Sequence, residues 1–101
     1  MSAATADDRA ESIRMIRDSA AAVAPPGADL GRIRALRFTD PGFDRAVLVQ
    51  MGEMGWLGLR LPEAQGGAAL GLGEACALAE ELGAALVPEP LVAAMLSAAV
   101  L

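Results

Sequence analysis

The sequence predicts an all-α fold, a small bundle of about four helices, from three observations. The chain has 101 residues, a length that forms one domain at most. Hydrophobic residues make up 54% of it and aromatic residues only 3%, so the core is built from aliphatic side chains. Such side chains suit closely packed helices better than a β-sandwich, which is rich in β-branched and aromatic residues. Prolines and glycines divide the chain into segments of helical length.

The first helix is predicted over residues 6–23. Thr5 can cap it, and Asp7 and Asp8 lie where the helix dipole favours negative charge. Its apolar face consists of Ile13, Ile16, Ala20 and Val23. The sequence "APPGADLG" then ends the helix, because proline cannot continue the hydrogen-bond ladder. A short helical turn is expected within "DLGRIRAL".

The second helix is predicted to open at "TDPGFD", with Asp40 as the cap and Pro41 as the first helical residue. One face of this helix consists of Phe43, Val47, Met51 and Met54. Gly55 is placed to end it in the left-handed conformation, and Trp56 is expected to fold back onto the last turn.

The third helix is predicted over residues 72–87, with the sequence "VPEP" as its stop. Its apolar face is Leu72, Cys76, Ala79, Leu82 and Leu86. This position makes Cys76 a buried small hydrophobe rather than a nucleophile. Residues 90–101 have no charged side chain and are predicted to form a helix that is apolar on all faces. Such a helix is normally buried on every side in the folded protein. We therefore expect the isolated chain to expose apolar surface there and to self-associate.

The glycines of "GWLGLRLPEAQGG" raise the question of a phosphate-binding loop. Such loops need free backbone N–H groups at a helix N-terminus, together with a lysine or a fixed glycine spacing. The chain contains no lysine, and the spacing fits neither the P-loop nor the G-x-G-x-x-G pattern. The sequence favours a sharp turn between two helices, which glycine permits.

The sequence also contains few of the residue types that catalyse reactions in enzymes. The chain has no histidine, lysine or tyrosine, and so lacks an imidazole base, a Schiff-base amine and a phenol. Glu80 and Glu81 are adjacent and point in different directions on a helix, so an ion pair with an arginine is the better interpretation. These observations predict no catalytic residue and no metal site.

The charge pattern bears on partners and location. The net charge is −5 without any basic run, which excludes nucleic-acid binding. One cysteine fits a reducing cytoplasm, the N-terminus has no secretory pattern, and the apolar tail is too short to span a membrane. A cytoplasmic protein is expected.

Residues 40–91 resemble the N-terminal helical domain of the acyl-CoA dehydrogenase family. Three elements match in order and spacing: the "PGFD" helix ending in "GWLGL", the "PE-x-x-GG" turn, and the "EELG" helix that runs into "PEP". The first helix agrees more loosely. Two departures are Gln65, where many members carry an aromatic residue, and Ala64, which replaces a frequent acid.

The resemblance implies an FAD-dependent enzyme of fatty acid metabolism that introduces an α,β double bond into an acyl-CoA thioester. In the family a glutamate abstracts the α-proton while a hydride leaves the β-carbon for the flavin. That glutamate belongs to a C-terminal helical domain, and the FAD lies between this domain and a middle β-domain. The resemblance therefore makes residues 1–101 an N-terminal domain that is truncated at its C-terminal end, without the other two domains. No FAD binding and no activity are expected of this chain alone.

The resemblance further implies that this domain walls the acyl pocket and supports the flavin domain. The substrate-binding candidates are Leu91, Ala94 and Ala98 in the pocket wall, with Gly66 and Gly67 shaping the approach. The small side chains among them would leave room for a bulky or long acyl group. Ordinary helix packing is the competing interpretation of each. Expected partners are acyl-CoA in the complete enzyme and the remaining flavoenzyme domains or a partner subunit, in an oligomer. Two alternatives stay open: a stand-alone helical subunit that completes a partner flavoprotein, and a helical adaptor without a flavin.

Overall fold

Five α-helices make up the architecture of residues 5–27 and 30–100, the part of the chain that the computed structural model describes. They are α1 (Ala6–Ser19), α2 (Gly31–Leu36), α3 (Arg45–Glu53), α4 (Leu72–Ala84) and α5 (Leu91–Val100). Two 3-10 turns cover Ala20–Ala22 and Glu63–Gln65, and no strand occurs in these described ranges. The predicted all-α fold is confirmed. Asp29 and Leu101, which belonged to predicted segments, lie outside the described residues.

The start of α1 follows the predicted cap. The Thr5 hydroxyl accepts a hydrogen bond from the Asp8 N–H at 3.0 Å, and the Asp8 carboxylate accepts one from the Thr5 N–H at 3.3 Å. This reciprocal capping box satisfies two donors at the helix terminus. The helix packs against α4, and the 3-10 turn that follows also contacts α4.

The predicted start of α3 at Asp40 and Pro41 is wrong by four residues. Asp44 is the cap, since its carboxylate accepts a hydrogen bond from the Ala46 N–H at 2.8 Å. Gly42 has a φ of +86°, which no right-handed helix contains. A helix that began at Pro41 would have to pass through this residue.

The predicted end of α3 is confirmed. Gly55 has a φ of +81°, its N–H donates to the Gly52 carbonyl, and the Trp56 N–H donates to the Met51 carbonyl at 3.1 Å. These two bonds form a Schellman motif. Trp56 and Met51 are both buried, whereas Met54 from the same predicted face is 37% exposed.

The core lies where α4 meets the other helices and the loop after α3. Its buried members are Ala20, Met51, Trp56, Leu59, Leu78, Leu82 and Leu91. The predicted apolar face of α4 is wrong except for Leu82: Leu72 and Leu86 are about 60% exposed, and Cys76 is exposed. The face that α4 buries instead consists of Glu74, Ala77, Leu78 and Leu82. Two neighbouring faces of this helix are apolar, and its periodicity fits both.

The sequence predicted that the prolines of "VPEP" end α4, and this prediction is wrong. The helix ends at Ala84, three residues before the predicted end. Leu86 adopts a φ of +57°, and the Val87 N–H donates to the Leu82 carbonyl at 3.0 Å. A leucine thus occupies the left-handed position that glycine usually takes at a helix end.

Candidate functional site

An apolar groove lies between α4 and α5. Its volume is about 530 Å³. The loop after α3 closes one side of it. The lining residues are Leu57, Arg60, Leu61, Leu72, Ala75, Cys76, Ala79, Val92, Met95, Leu96 and Ala99. A cleft of this volume with mainly apolar walls is typical of small-molecule sites.

The chemistry of the groove is simple. Alanines supply small side chains from both helices, and leucines, a valine and a methionine supply the larger apolar surfaces. Val92 and Leu96 are more than half exposed, so this face of α5 contacts little in the described part of the chain. Among the described residues that line the groove, Arg60 is the only charged one, and Cys76 presents the chain's single thiol. Such a surface can bind an apolar group, but it contains no acid or base for proton transfer.

A buried carboxylate anchors the N-terminal end of α5. Glu89 lies two residues before the helix, and its side chain is fully buried. Both of its oxygens accept hydrogen bonds from Arg32, at 2.8 and 2.9 Å, and one also accepts from the Asp44 N–H at 2.8 Å. Glu89 therefore connects α2, the start of α3 and the start of α5. Sequence analysis interpreted Glu89 only as part of the "VPEP" helix stop and did not predict that it connects these segments.

These contacts decide the ionisation of Glu89. Burial raises the pKa of the carboxyl, but the hydrogen bonds from Arg32 and from the Asp44 amide together outweigh burial, so that the pKa lies below its usual value. The same hydrogen bond to Glu89 raises the pKa of Arg32. Both groups are thus held in their charged forms, and the hydrogen bonds from Arg32 and the Asp44 amide make Glu89 a structural anchor.

The predicted ion pair between an arginine and the adjacent Glu80 and Glu81 is confirmed. One guanidinium nitrogen of Arg17 lies 3.1 Å from Glu80 and 3.0 Å from Glu81, so that α1 and α4 are linked at the surface. The hydrogen bond to Glu81 raises the pKa of Arg17. Although the two glutamates leave the helix in different directions, one long arginine reaches both.

The glycine turn is also confirmed as a structural element, because its N–H groups are used within the backbone. Those of Gly66 and Gly67 donate to the carbonyls of Glu63 and Pro62, and the next three residues donate to residues 58, 61 and 59. Gly66 has a φ of +80°, and a Cβ on Gly67 would overlap the Leu61 carbonyl. No row of free N–H groups remains in this turn for a phosphate.

The five predicted substrate residues do not line the groove. Gly66 is exposed, Gly67, Ala94 and Ala98 are half-buried, and Leu91 is 4% exposed within the core. That these residues contact a substrate stays a prediction. The sequence missed the groove residues of α5, which are Val92, Met95, Leu96 and Ala99. The only pattern in the sequence that pointed to the groove was the apolar stripe of Leu72, Cys76 and Ala79, which the sequence analysis assigned to the core.

Among residues 5–27 and 30–100, no group of three or more histidine, cysteine, aspartate or glutamate side chains is placed to hold a metal ion. Within the same residues, no helix has the length and apolarity needed to cross a membrane.

Comparison with known proteins assigns the chain. Residues 10–101 match the family described as "Acyl-CoA dehydrogenase, N-terminal domain". The chain is 34% identical over 88 residues to "Acyl-CoA dehydrogenase IpdE2" of Mycobacterium tuberculosis (strain ATCC 25618 / H37Rv). This match covers 86% of the chain but 28% of the relative, and no solved structure matches significantly. The chain belongs to the acyl-CoA dehydrogenase family, and it contains the family's N-terminal domain.

Proposed function

We propose that the chain acts as the N-terminal domain of an FAD-dependent enzyme that desaturates acyl-CoA thioesters, with the α4–α5 groove as one wall of the acyl site. The main support for this proposal is the exposed aliphatic surface of the groove, because folded domains usually bury so large an apolar surface unless it binds a ligand or a partner. Its alanines leave space beside the larger side chains. An acyl chain would gain the hydrophobic free energy of leaving water there.

The flavin belongs to another part of the assembly in this proposal. The glycine turn supports this placement, because the N–H groups of residues 66–70 donate within the backbone and are not free to hold a phosphate of FAD. The flavin bound in that other part would supply the hydride acceptor of the reaction. The role of this chain is to bind and position the acyl group and to exclude water from it. We propose a cytoplasmic location, to which a single free cysteine is suited.

Protection of Cys76 tests the acyl wall directly. The thiol lines the groove, so its alkylation by iodoacetamide reports whether the groove is filled. We expect octanoyl-CoA to slow this alkylation and coenzyme A without an acyl group to leave it unchanged. The variant Ala79→Leu fills part of the groove and should weaken protection, whereas Ala46→Leu on α3 should not. Equal alkylation with and without octanoyl-CoA would refute the acyl wall.

Co-purification tests the link to a flavin. A tagged form of the chain, recovered from the cells that produce it, should carry a stoichiometric yellow flavin on an associated domain or subunit. A flavin-free assembly would contradict the proposal and favour a helical adaptor. A stoichiometric flavin spectrum from the isolated chain would show that the flavin site had been placed in the wrong part of the assembly.

A further inference from the structure

We infer that the acyl groups accepted by the α4–α5 groove carry a second, negatively charged group, a carboxylate remote from the thioester, which Arg60 binds. This inference rests on the proposed acyl wall and adds the substrate class to it. Arg60 lines the groove, is exposed, and is the only charged residue among the described residues that line it. No carboxylate lies within ion-pair distance of it in the described residues.

Two other grooves in the described part of the chain show how the surroundings of Arg60 differ. Arg9 lines a groove near the start of α4 together with two carboxylates, those of Asp8 and Glu74. Arg32 lines a groove near the end of α4 that also contains Glu81, and its own guanidinium is bound to Glu89. In both grooves the protein itself supplies negative charge beside the arginine. The α4–α5 groove supplies none.

Charge complementarity therefore specifies the ligand. Because the chain has a net charge of −5, its overall field repels anions, and a free arginine beside an uncharged wall is a local exception. The planar guanidinium matches a carboxylate with two parallel hydrogen bonds. Apolar neighbours such as Leu57 and Leu61 exclude water from part of this contact and strengthen it. The matching ligand is an apolar chain with an acid at its far end, so Arg60 is a specificity residue and takes no part in bond breaking.

Two esters of octanedioic acid form the test pair on the full chain at pH 7. The monomethyl ester has one carboxylate, and the dimethyl ester has the same chain without charge. Binding is measured as slower alkylation of Cys76 and as NMR shifts of the groove methyl groups. We expect the monomethyl ester to bind about 10-fold more tightly, an effect of the size of one charge-assisted hydrogen bond. Arg60→Gln should remove this preference without changing the affinity for the dimethyl ester.

Arg45→Gln is the matched control, because it removes the same charge from an exposed arginine outside the groove. It should keep the 10-fold preference. If both esters bind equally and Arg60→Gln has no effect, the inference is wrong and the acyl wall stands. If neither ester binds, the inference and the acyl wall are both wrong. If coenzyme A alone is bound through Arg60, the arginine recognises phosphate, and this also overturns the inference.

Discussion

Replacement of Glu89 by glutamine should destabilise the domain strongly. The substitution keeps the shape of the side chain but removes the negative charge that Arg32 and the Asp44 amide contact. Breaking a buried ion pair costs about 3–5 kcal/mol, and the lower end applies because the Arg32 side chain is 36% exposed and water can solvate it. We expect a loss of about 3 kcal/mol in the free energy of unfolding. For a domain of this size, that loss lowers Tm by roughly 15 °C.

The pH dependence of this effect follows from the lowered pKa of Glu89. A carboxyl with a lower pKa in the folded chain stabilises the fold above its usual value of 4.5. This stabilisation is lost as the pH falls through the folded-state pKa. Because glutamine does not titrate, the difference between the native chain and Glu89→Gln should be constant near neutral pH and shrink in acid.

Urea unfolding followed by helical circular dichroism measures both effects, and Glu11→Gln is the matched control. Glu11 pairs with Arg14 on the surface of α1, with both side chains more than half exposed, so its loss should cost less than about 1 kcal/mol. The reasoning is refuted if Glu89→Gln costs no more than this control. It is also refuted if the difference between Glu89→Gln and the native chain grows as the pH is lowered.

Two further predictions concern packing, and urea unfolding measures both. Gly67→Ala should cost about 2 kcal/mol, because its Cβ would overlap the backbone carbonyl of Leu61, whereas Gly52→Ala meets open space inside a helix and should stabilise by about 0.5–1 kcal/mol. If the two alanines have the same effect, the turn is not closely packed. Leu78→Ala removes a fully buried side chain and should cost about 2–5 kcal/mol, while Leu96→Ala, at a site 65% exposed, should cost less than about 1 kcal/mol. A larger cost at Leu96 would mean that this face of α5 is already covered.

The helix ends show how far local chemistry predicted the fold. The Thr5 cap and the left-handed Gly55 depend on residues within six positions of each other, so the sequence alone predicted both. The start of α3 was misplaced because a distant contact influences it, and the end of α4 because Leu86 departs from a local preference. The Asp44 amide at the start of α3 donates to Glu89, which is 45 residues away. Leu86 takes a left-handed conformation that its side chain does not favour.

The candidate site was harder to predict from the sequence than the helices were. Leu72, Cys76 and Ala79 form an apolar stripe, and Leu78 lies on another apolar face of the same helix. Periodicity detects both faces but does not say which one another helix will cover. In the folded chain, Leu78 is buried in the core with Met51 and Trp56, whereas the stripe stays open in the groove.

By itself the sequence determined the all-α class, the four longer helices, the turn at the double glycine and the family of the chain. Each of these depends on short patterns of side chains, because caps, turns and helical periodicity act over a few residues. Only the tertiary structure decided that α4 turns Leu78 inward and Cys76 outward, that Glu89 ties three segments together, and that Arg60 adjoins an apolar groove without a carboxylate. These features join residues far apart in the chain, and their free energy depends on burial, which exists only once the helices have packed.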